Sequence, residues 1–228
     1  MFLWVKFWCV TAMTLGRIVA AGSIVSLLFL GAAEYAVIVF GLAAVLDFDG
    51  YFARKWEVTT GFGKVLDPLS DKILILSVVG ALLHTGVLWS YWFTIPAGII
   101  VAREAIMLIG TVIKLGFRFR ELRVAELRDF FEFGKSQDSV RPDVTNISKK
   151  KMGWQCVALF ILIGVQATVG IDNNFVFWAG KALWIMGLIS FWVAGHYTLV
   201  TGLDYLRKEF PSLNPRIDPL LLRLGLRQ

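Results

Sequence analysis

Residues Asp49 to Asp71 read DGYFARKWEVTTGFGKVLDPLSD, a polar stretch that carries three aspartates between two apolar segments. Asp67 and Asp71 are four residues apart, so a helix places both on one face. A further aspartate, Asp47, comes just before the stretch. Carboxylates gathered in one place repel each other unless cations balance them, and their oxygens suit Mg²⁺ or Mn²⁺. The stretch therefore predicts a site for divalent metal ions.

The rest of the chain is too apolar for a soluble protein. Of its 228 residues, 57% are hydrophobic and only 18% are charged, whereas a soluble domain usually carries about a quarter charged residues. A helix needs about 20 apolar residues to cross a bilayer. The sequence predicts six such spans, over residues 13–31, 33–54, 64–86, 91–114, 152–171 and 177–203. The expected fold is an all-α polytopic membrane protein.

Positive charges are divided unequally between the two sides of this arrangement. Nearly all Lys and Arg residues fall at one side, and the opposite side has Lys181 alone. Because positively charged loops stay in the cytoplasm, both termini are expected there. The net charge of +6 suits an anionic membrane surface better than nucleic acid in a chain this apolar. We expect a bacterial cytoplasmic membrane or an equivalent inner membrane of an organelle, with the metal site facing the cytoplasm.

The two ends of the chain predict helices that lie on the membrane surface. The first dozen residues mix aromatic side chains with lysine, and the tail alternates leucine with arginine, as surface helices do. The predicted organisation is one membrane domain, residues 1–210, and a cytoplasmic amphipathic tail, residues 211–228. Segment 115–151 carries mixed charges and predicts a solvated loop with a short helix.

The polar stretch fits D-G-x2-A-R-x8-G-x3-D-x3-D at every fixed position, and this pattern resembles the signature of the CDP-alcohol phosphatidyltransferases. The matching residues are Asp49, Gly50, Ala53, Arg54, Gly63, Asp67 and Asp71. A T-x2-T-x2-R pattern at Thr11, Thr14 and Arg17 and the stretch TIPAGIIVARE at residues 94–104 resemble the members that use glycerol 3-phosphate. The resemblance is specific over residues 11–114 and looser through the last two spans.

The resemblance implies six transmembrane helices, a homodimer, and an active site open to the cytoplasm. The reaction would join an acceptor alcohol to the phosphatidyl group of CDP-diacylglycerol, with two Mg²⁺ or Mn²⁺ ions as cofactors. Asp49, Asp67 and Asp71 would bind the metals, and Asp71 would also be the general base. The residues implied for binding CDP-diacylglycerol are Gly50, Ala53, Arg54, Gly63, Thr14 and Arg17.

One position departs from the family pattern. The family carries another aspartate three residues before the position of Asp49, where this chain has Leu46, and an aspartate follows one place later, at Asp47. Residues two apart on a regular helix point about 200° away from each other. Either local unwinding returns Asp47 to the metals, or one ligand is missing and activity is lowered.

The acceptor is expected to be a phosphorylated alcohol or a lipid. Arg103 lies in the middle of a span, where an arginine marks either function or an ion pair. It would pair with Glu104 or a nearby aspartate, or face the phosphate of an acceptor. Lys149 begins a run of three lysines that would either hold the membrane surface or reach the same phosphate. These cations favour glycerol 3-phosphate. Cardiolipin synthesis, with phosphatidylglycerol as acceptor, is the alternative, because segment 115–151 resembles those enzymes.

Two other classes of protein compete with this interpretation. A divalent-cation transporter would place its aspartates near the bilayer midplane, often in repeated halves, whereas these aspartates cluster at one face without a repeat. A catalytically silent scaffold of the same fold stays open because of Leu46.

Overall fold

A computed structural model of the chain describes residues 2–46, 61–121, 146–171 and 173–209, together with Leu220 and Leu224. Its long helices are α1 (Phe2–Phe29), α2 (Ala33–Leu46), α3 (Gly61–His84), α4 (Tyr91–Glu121), α5 (Asn146–Thr168) and α6 (Asn174–Glu209). These described ranges contain no strand, which confirms the all-α fold class.

Four helical segments in the described residues are long and apolar enough to cross a membrane. They are Ala12–Phe29, Tyr91–Ile113, Lys150–Thr168 and Asn174–Arg207. Helix α2 supplies a shorter apolar segment, and the second predicted span continued to residue 54, beyond the described part. Helix α3 carries Asp71 and Lys72 near its middle, and part of its first half lies outside the described side chains. The chain is therefore a polytopic membrane protein, while the count of six spans stays a prediction.

The N-terminal segment that we expected on the membrane surface is continuous with the first span. Helix α1 runs without interruption from Phe2 to Phe29. The predicted surface tail lies outside the described residues except for Leu220 and Leu224, and so does most of segment 115–151. The surface placement of both ends stays a prediction.

Short turns with a left-handed glycine join the helices in pairs. Gly31 (φ 74°) connects α1 to α2, Gly86 (φ 86°) connects α3 to α4, and Gly170 (φ 85°) connects α5 to α6. Residues with a side chain avoid this conformation, so glycine is the natural choice at each turn. The turns form three helical hairpins, α1–α2, α3–α4 and α5–α6.

The three turns lie at the same end of the bundle. Phe29, at the end of α1, contacts the ring of His84 at the end of α3, with ring centroids 4.7 Å apart. Phe40 in the middle of α2 meets Phe160 in the second half of α5, with centroids at 6.5 Å. The other connections, α2 to α3 and α4 to α5, run through residues outside the described part.

Apolar side chains occupy both the interior and the outer surface of the bundle. The interior is filled by fully buried residues such as Ile24, Val78, Leu82, Leu162 and Phe191. On the outside, α2 exposes a continuous apolar row made of Tyr35, Ile38, Leu42 and Val45. Exposed apolar surface of this extent is unusual for a soluble protein and suits contact with lipid chains.

Helices α4 and α6 pack closely because one glycine leaves room for a proline. A Cβ atom placed on Gly195 of α6 would lie 3.0 Å from Cβ of Pro96 in α4. Nearby, the ring of Phe93 packs edge-on against Trp184, with centroids 5.2 Å apart. The absent side chain at Gly195 thus sets the distance between the two helices that carry Arg103 and Thr198.

We predict that Gly195→Leu lowers the thermal stability of the protein in detergent. The new side chain would collide with Pro96, and overpacking of this kind costs about 1–3 kcal/mol. Gly80→Leu is the matched control, because Gly80 is an exposed helical glycine, and a Cβ placed on it would have no described atom within 4 Å. Equal melting temperatures for the two variants would contradict the close α4–α6 contact.

Candidate active site

An ion pair between Arg17 and Asp71 joins α1 to α3. Nη1 of Arg17 donates a hydrogen bond to Oδ1 of Asp71. The Arg17 side chain is 2% exposed, whereas the Asp71 side chain keeps 27% of its surface. Thr14, one helical turn before Arg17, is also buried. The structure therefore brings Arg17, predicted to bind substrate, into contact with Asp71, the predicted base.

A second charged group is centred on the carboxylate of Glu104 in α4. Nζ of Lys151, from α5, donates to Oε1 of Glu104 at 2.5 Å. Nη1 of Arg103 donates to the same oxygen at 2.9 Å. Glu104 itself is 1% exposed and Lys151 is 5% exposed. One buried carboxylate is therefore shared between two cations from two helices.

Two neutral side chains tie this carboxylate to α6. Nε2 of Gln155 lies 3.4 Å from Oε1 of Glu104 and 3.1 Å from Oγ1 of Thr198. Thr198 in turn donates to the carbonyl of Ala194 at 2.7 Å. Gln155 and Thr198 are both fully buried. We refer to Arg103, Glu104, Lys151, Gln155 and Thr198 together as the Glu104 cluster.

The Glu104 cluster and the Arg17–Asp71 pair lie close to each other. Lys72 follows Asp71 on α3 and lies within electrostatic range of Asp71, Glu104 and Arg103. Helix α3 packs against α1, α4 and α5, which explains how one lysine reaches both groups. The two groups therefore form one charged region in the interior of the bundle.

This region lies in the half of the bundle away from the glycine turns. At about 1.5 Å of rise per residue, Arg17, Asp71 and Lys151 are about 20–30 Å along their helices from those turns. These charged side chains therefore lie in the half of the bundle that is opposite the turns.

Several predicted site residues lie outside the described part of the structure. These are Asp47, Asp49, Gly50, Ala53 and Arg54. The backbone of Gly63 and Asp67 belongs to α3, and that of Lys149 belongs to α5, but the Asp67 and Lys149 side chains are outside the described atoms. Their predicted roles stay predictions.

Sequence reasoning found some of the Glu104 cluster and missed the rest. It proposed Glu104 only as a local partner of Arg103, and among the three lysines it singled out Lys149 rather than Lys151. The structure shows the pair of Arg103 with Glu104 and also the long-range bond of Lys151 to Glu104. Gln155 was overlooked. The available signal was its position four residues after Lys151, which puts both on one face of an apolar helix.

The described residues are compatible with divalent metal ions. Helix α3 is continuous from Gly61 to His84, so Asp67 and Asp71 are one turn apart on one face. Carboxylate oxygens are suitable ligands for Mg²⁺ and Mn²⁺. The described atoms contain no group of three or more metal-binding side chains, and the other predicted ligands fall among residues 47–60.

The Glu104 cluster has more positive than negative charge. Arg103 and Lys151 both pair with the single carboxylate of Glu104, and Lys72 lies within electrostatic range of it. The Arg103 side chain keeps 15% of its surface, and its Nε atom has no partner among the described atoms. Charge-assisted donors of this kind bind phosphate groups well. Such an excess of positive charge is of the kind that suits a small anion.

Comparison with known proteins agrees with this chemistry. The family model described as CDP-alcohol phosphatidyltransferase matches residues 9–194. The CDP-diacylglycerol--glycerol-3-phosphate 3-phosphatidyltransferase of Escherichia coli is 36% identical over 173 residues, which cover 75% of this chain and 76% of the relative.

Two other relatives carry the same name. The protein of Salmonella choleraesuis is 33% identical over 201 residues, covering 86% of this chain and 91% of the relative. That of Cereibacter sphaeroides is 31% identical over 207 residues, covering 78% and 83%. With the signature of residues 49–71, the helical membrane fold and these matches, the chain belongs to the CDP-alcohol phosphatidyltransferase family.

Proposed function

We propose that this protein is a membrane enzyme that transfers the phosphatidyl group of CDP-diacylglycerol to glycerol 3-phosphate and releases CMP. The observation that carries the proposal is the buried Glu104 cluster, in which Arg103 and Lys151 offer positive charge, with Lys72 within electrostatic range of both Glu104 and Asp71. A phosphorylated alcohol supplies the anion that such a cluster suits. The names of the three relatives support the same acceptor.

Two divalent ions, Mg²⁺ or Mn²⁺, are part of the proposal. Asp49, Asp67 and Asp71 would hold them, with Asp47 as the additional carboxylate in place of the family aspartate at Leu46. When bound, ions of this kind neutralise charge that develops on the reacting phosphate. The backbone of α3 supports the pairing of Asp67 with Asp71 on one face.

Asp71 is the proposed general base. Its carboxylate takes the proton from the acceptor hydroxyl while the hydroxyl oxygen forms a bond to the phosphorus next to the lipid. The bond between that phosphorus and the oxygen of CMP breaks, and CMP leaves with the electron pair. Arg17, which donates to Asp71 Oδ1, orients the carboxylate for this step.

The remaining predicted residues would hold the two substrates. Gly50, Ala53 and Gly63 leave room for the cytidine diphosphate, and Arg54 and Thr14 would contact it. Arg103 would hold the acceptor phosphate, together with Lys149 or Lys151. The phosphate would then lie beside Asp71, since Lys72 is within range of both groups.

The proposal also includes six spans, cytoplasmic termini and a homodimer. Its membrane would be a bacterial cytoplasmic membrane or an organelle inner membrane, with the charged region facing the cytoplasm. The position of the charged region opposite the glycine turns supports one functional face. Lys181 lies near the Gly170 turn, with Nζ 4.2 Å from the ring centre of Phe177, as expected at the other membrane surface.

The first prediction from the proposed function concerns the acceptor. Purified protein with CDP-diacylglycerol should release CMP only when glycerol 3-phosphate is added, and not with phosphatidylglycerol or inositol phosphate. A chelator should abolish the release, and Mg²⁺ or Mn²⁺ should restore it. Release with phosphatidylglycerol would change the function to cardiolipin synthesis. If the folded protein releases no CMP with any acceptor, it is a catalytically silent scaffold of the same fold, and Leu46 in place of the family aspartate is the reason.

The second prediction concerns Asp71. Asp71→Asn should lower the rate of CMP release by at least about 100-fold, because the amide cannot accept the proton and general base catalysis contributes about 10²–10⁴-fold. The melting temperature should fall, because the amide leaves the buried Arg17 cation without its carboxylate, but the variant should still fold. Glu34→Gln, which removes an exposed carboxylate at the start of α2, is the control and should keep full activity. Near-normal turnover of Asp71→Asn would exclude its role as base.

The third prediction concerns orientation. In a chain without Cys9 and Cys156, a single cysteine introduced by Lys181→Cys should react with a membrane-impermeant maleimide on intact cells. One introduced by Lys150→Cys, at an exposed position of α5, should react only after permeabilisation. The opposite labelling pattern would reverse the proposed orientation.

A further inference from the structure

Glu104 has an unexpected location for a carboxylate in an anion-binding site. It lies between the cations that would hold the acceptor phosphate, and its own negative charge opposes the binding of another anion. Its contribution to binding must therefore come from geometry rather than from charge. An uncompensated carboxylate within a span would also be strongly unfavourable, so the three donors that surround it are needed for the fold.

All three donors meet at a single oxygen. Lys151 Nζ, Arg103 Nη1 and Gln155 Nε2 lie 2.5, 2.9 and 3.4 Å from Oε1 of Glu104. Because one atom bridges the ammonium and the guanidinium, their nitrogens are held close enough to contact one phosphate group together. Long lysine and arginine side chains without such an anchor sample many rotamers.

The anchor is itself fixed by a neighbouring helix. Gln155 extends from Glu104 to Thr198, whose hydroxyl is bonded to the backbone of α6. On the other side, Gly202 of α6 packs against the Arg103 side chain, since a Cβ at Gly202 would lie in van der Waals contact, 3.4 Å from Arg103 Cγ. Helix α6 thus constrains both the carboxylate and one of the cations.

We propose that Glu104 is a positioning residue, which holds Arg103 and Lys151 at the spacing required by the phosphate monoester of the acceptor, with Gln155 and Thr198 as its support. This inference rests on the proposed function for the identity of the acceptor. In this proposal the Glu104 carboxylate favours a phosphorylated acceptor without touching it, because it holds the two cations in place.

Steady-state kinetics with Glu104→Gln test the inference. Replacement by glutamine keeps the size of the side chain and removes its charge. A purely electrostatic cluster would become more positive and bind the acceptor more tightly. A positioning residue predicts the opposite, a rise of at least about tenfold in KM for glycerol 3-phosphate, the size expected from losing one charged hydrogen bond. KM for CDP-diacylglycerol should stay within about twofold, since the changed contact is at the acceptor site.

Three further variants separate positioning from a structural role. Glu104→Asp keeps the charge and should recover part of the lost acceptor affinity. Gln155→Leu removes only the hydrogen bonds that support Glu104, so it should raise the acceptor KM by less than Glu104→Gln does. If Glu104→Gln fails to fold, the acceptor KM of Gln155→Leu provides the test. Ser190→Ala is the matched control, because it removes a buried hydroxyl bonded to the backbone of α6 at 2.8 Å outside the cluster. It should leave both KM values unchanged.

A binding measurement separates this inference from the proposed function. Inorganic phosphate should raise the melting temperature of the wild type relative to chloride at equal ionic strength, and Glu104→Gln should lose that gain. Wild type that binds phosphate but does not transfer to glycerol 3-phosphate would overturn the proposed acceptor only. Glu104→Gln that keeps the phosphate effect, or has an unchanged or lower acceptor KM, would overturn the positioning role.

Discussion

The cost of placing charge inside a membrane determines the interior of this protein. A carboxylate or an arginine within a transmembrane helix costs several kcal/mol or more unless it is paired or hydrated. The described interior nevertheless contains Arg17, Glu104 and Lys151, each at most 5% exposed. Each of the three is paired with an opposite charge on a different helix. The ion pairs therefore specify which helices are neighbours. Apolar side chains do this poorly within a membrane, because they contact lipid chains as readily as they contact another helix.

This constraint links stability to chemistry. The contacts that make the buried charges tolerable are the same ones that bring the predicted base, the predicted substrate residues and the cations proposed to bind phosphate into one region. Helix α3 is central to that arrangement because Asp71 and Lys72 are adjacent on it and face different partners. A change at one charged residue is therefore expected to alter the geometry of its partner as well as its own chemistry.

Much of the fold could be predicted from the sequence because hydrophobic length is a local signal. The all-α class follows from the long apolar segments, whereas the turns at Gly31, Gly86 and Gly170 and the hairpins they form are seen only in the structure. The site was predicted less completely. The signature identified Asp71, and a T-x2-T-x2-R pattern identified Arg17, yet nothing local indicated that the two side chains meet across α1 and α3. The packing of α4, α5 and α6 brings together Lys151, Gln155 and Thr198. The periodicity of the sequence does not predict such contacts between helices.

The paired arrangement of the helices has a consequence for biogenesis. Residues 30–32 and 85–90, at two of the three turns, carry no charged side chain. If the turns lie on the far side of the membrane, as proposed, each of these hairpins can enter a bilayer as a unit, because the turn residues themselves carry no charge across the hydrocarbon. The ionised groups of the interior remain on the trailing halves of the helices and need not pass through the hydrocarbon. These charged groups then pair with one another only when the hairpins associate laterally. The helical bundle and the active region therefore assemble in the same step.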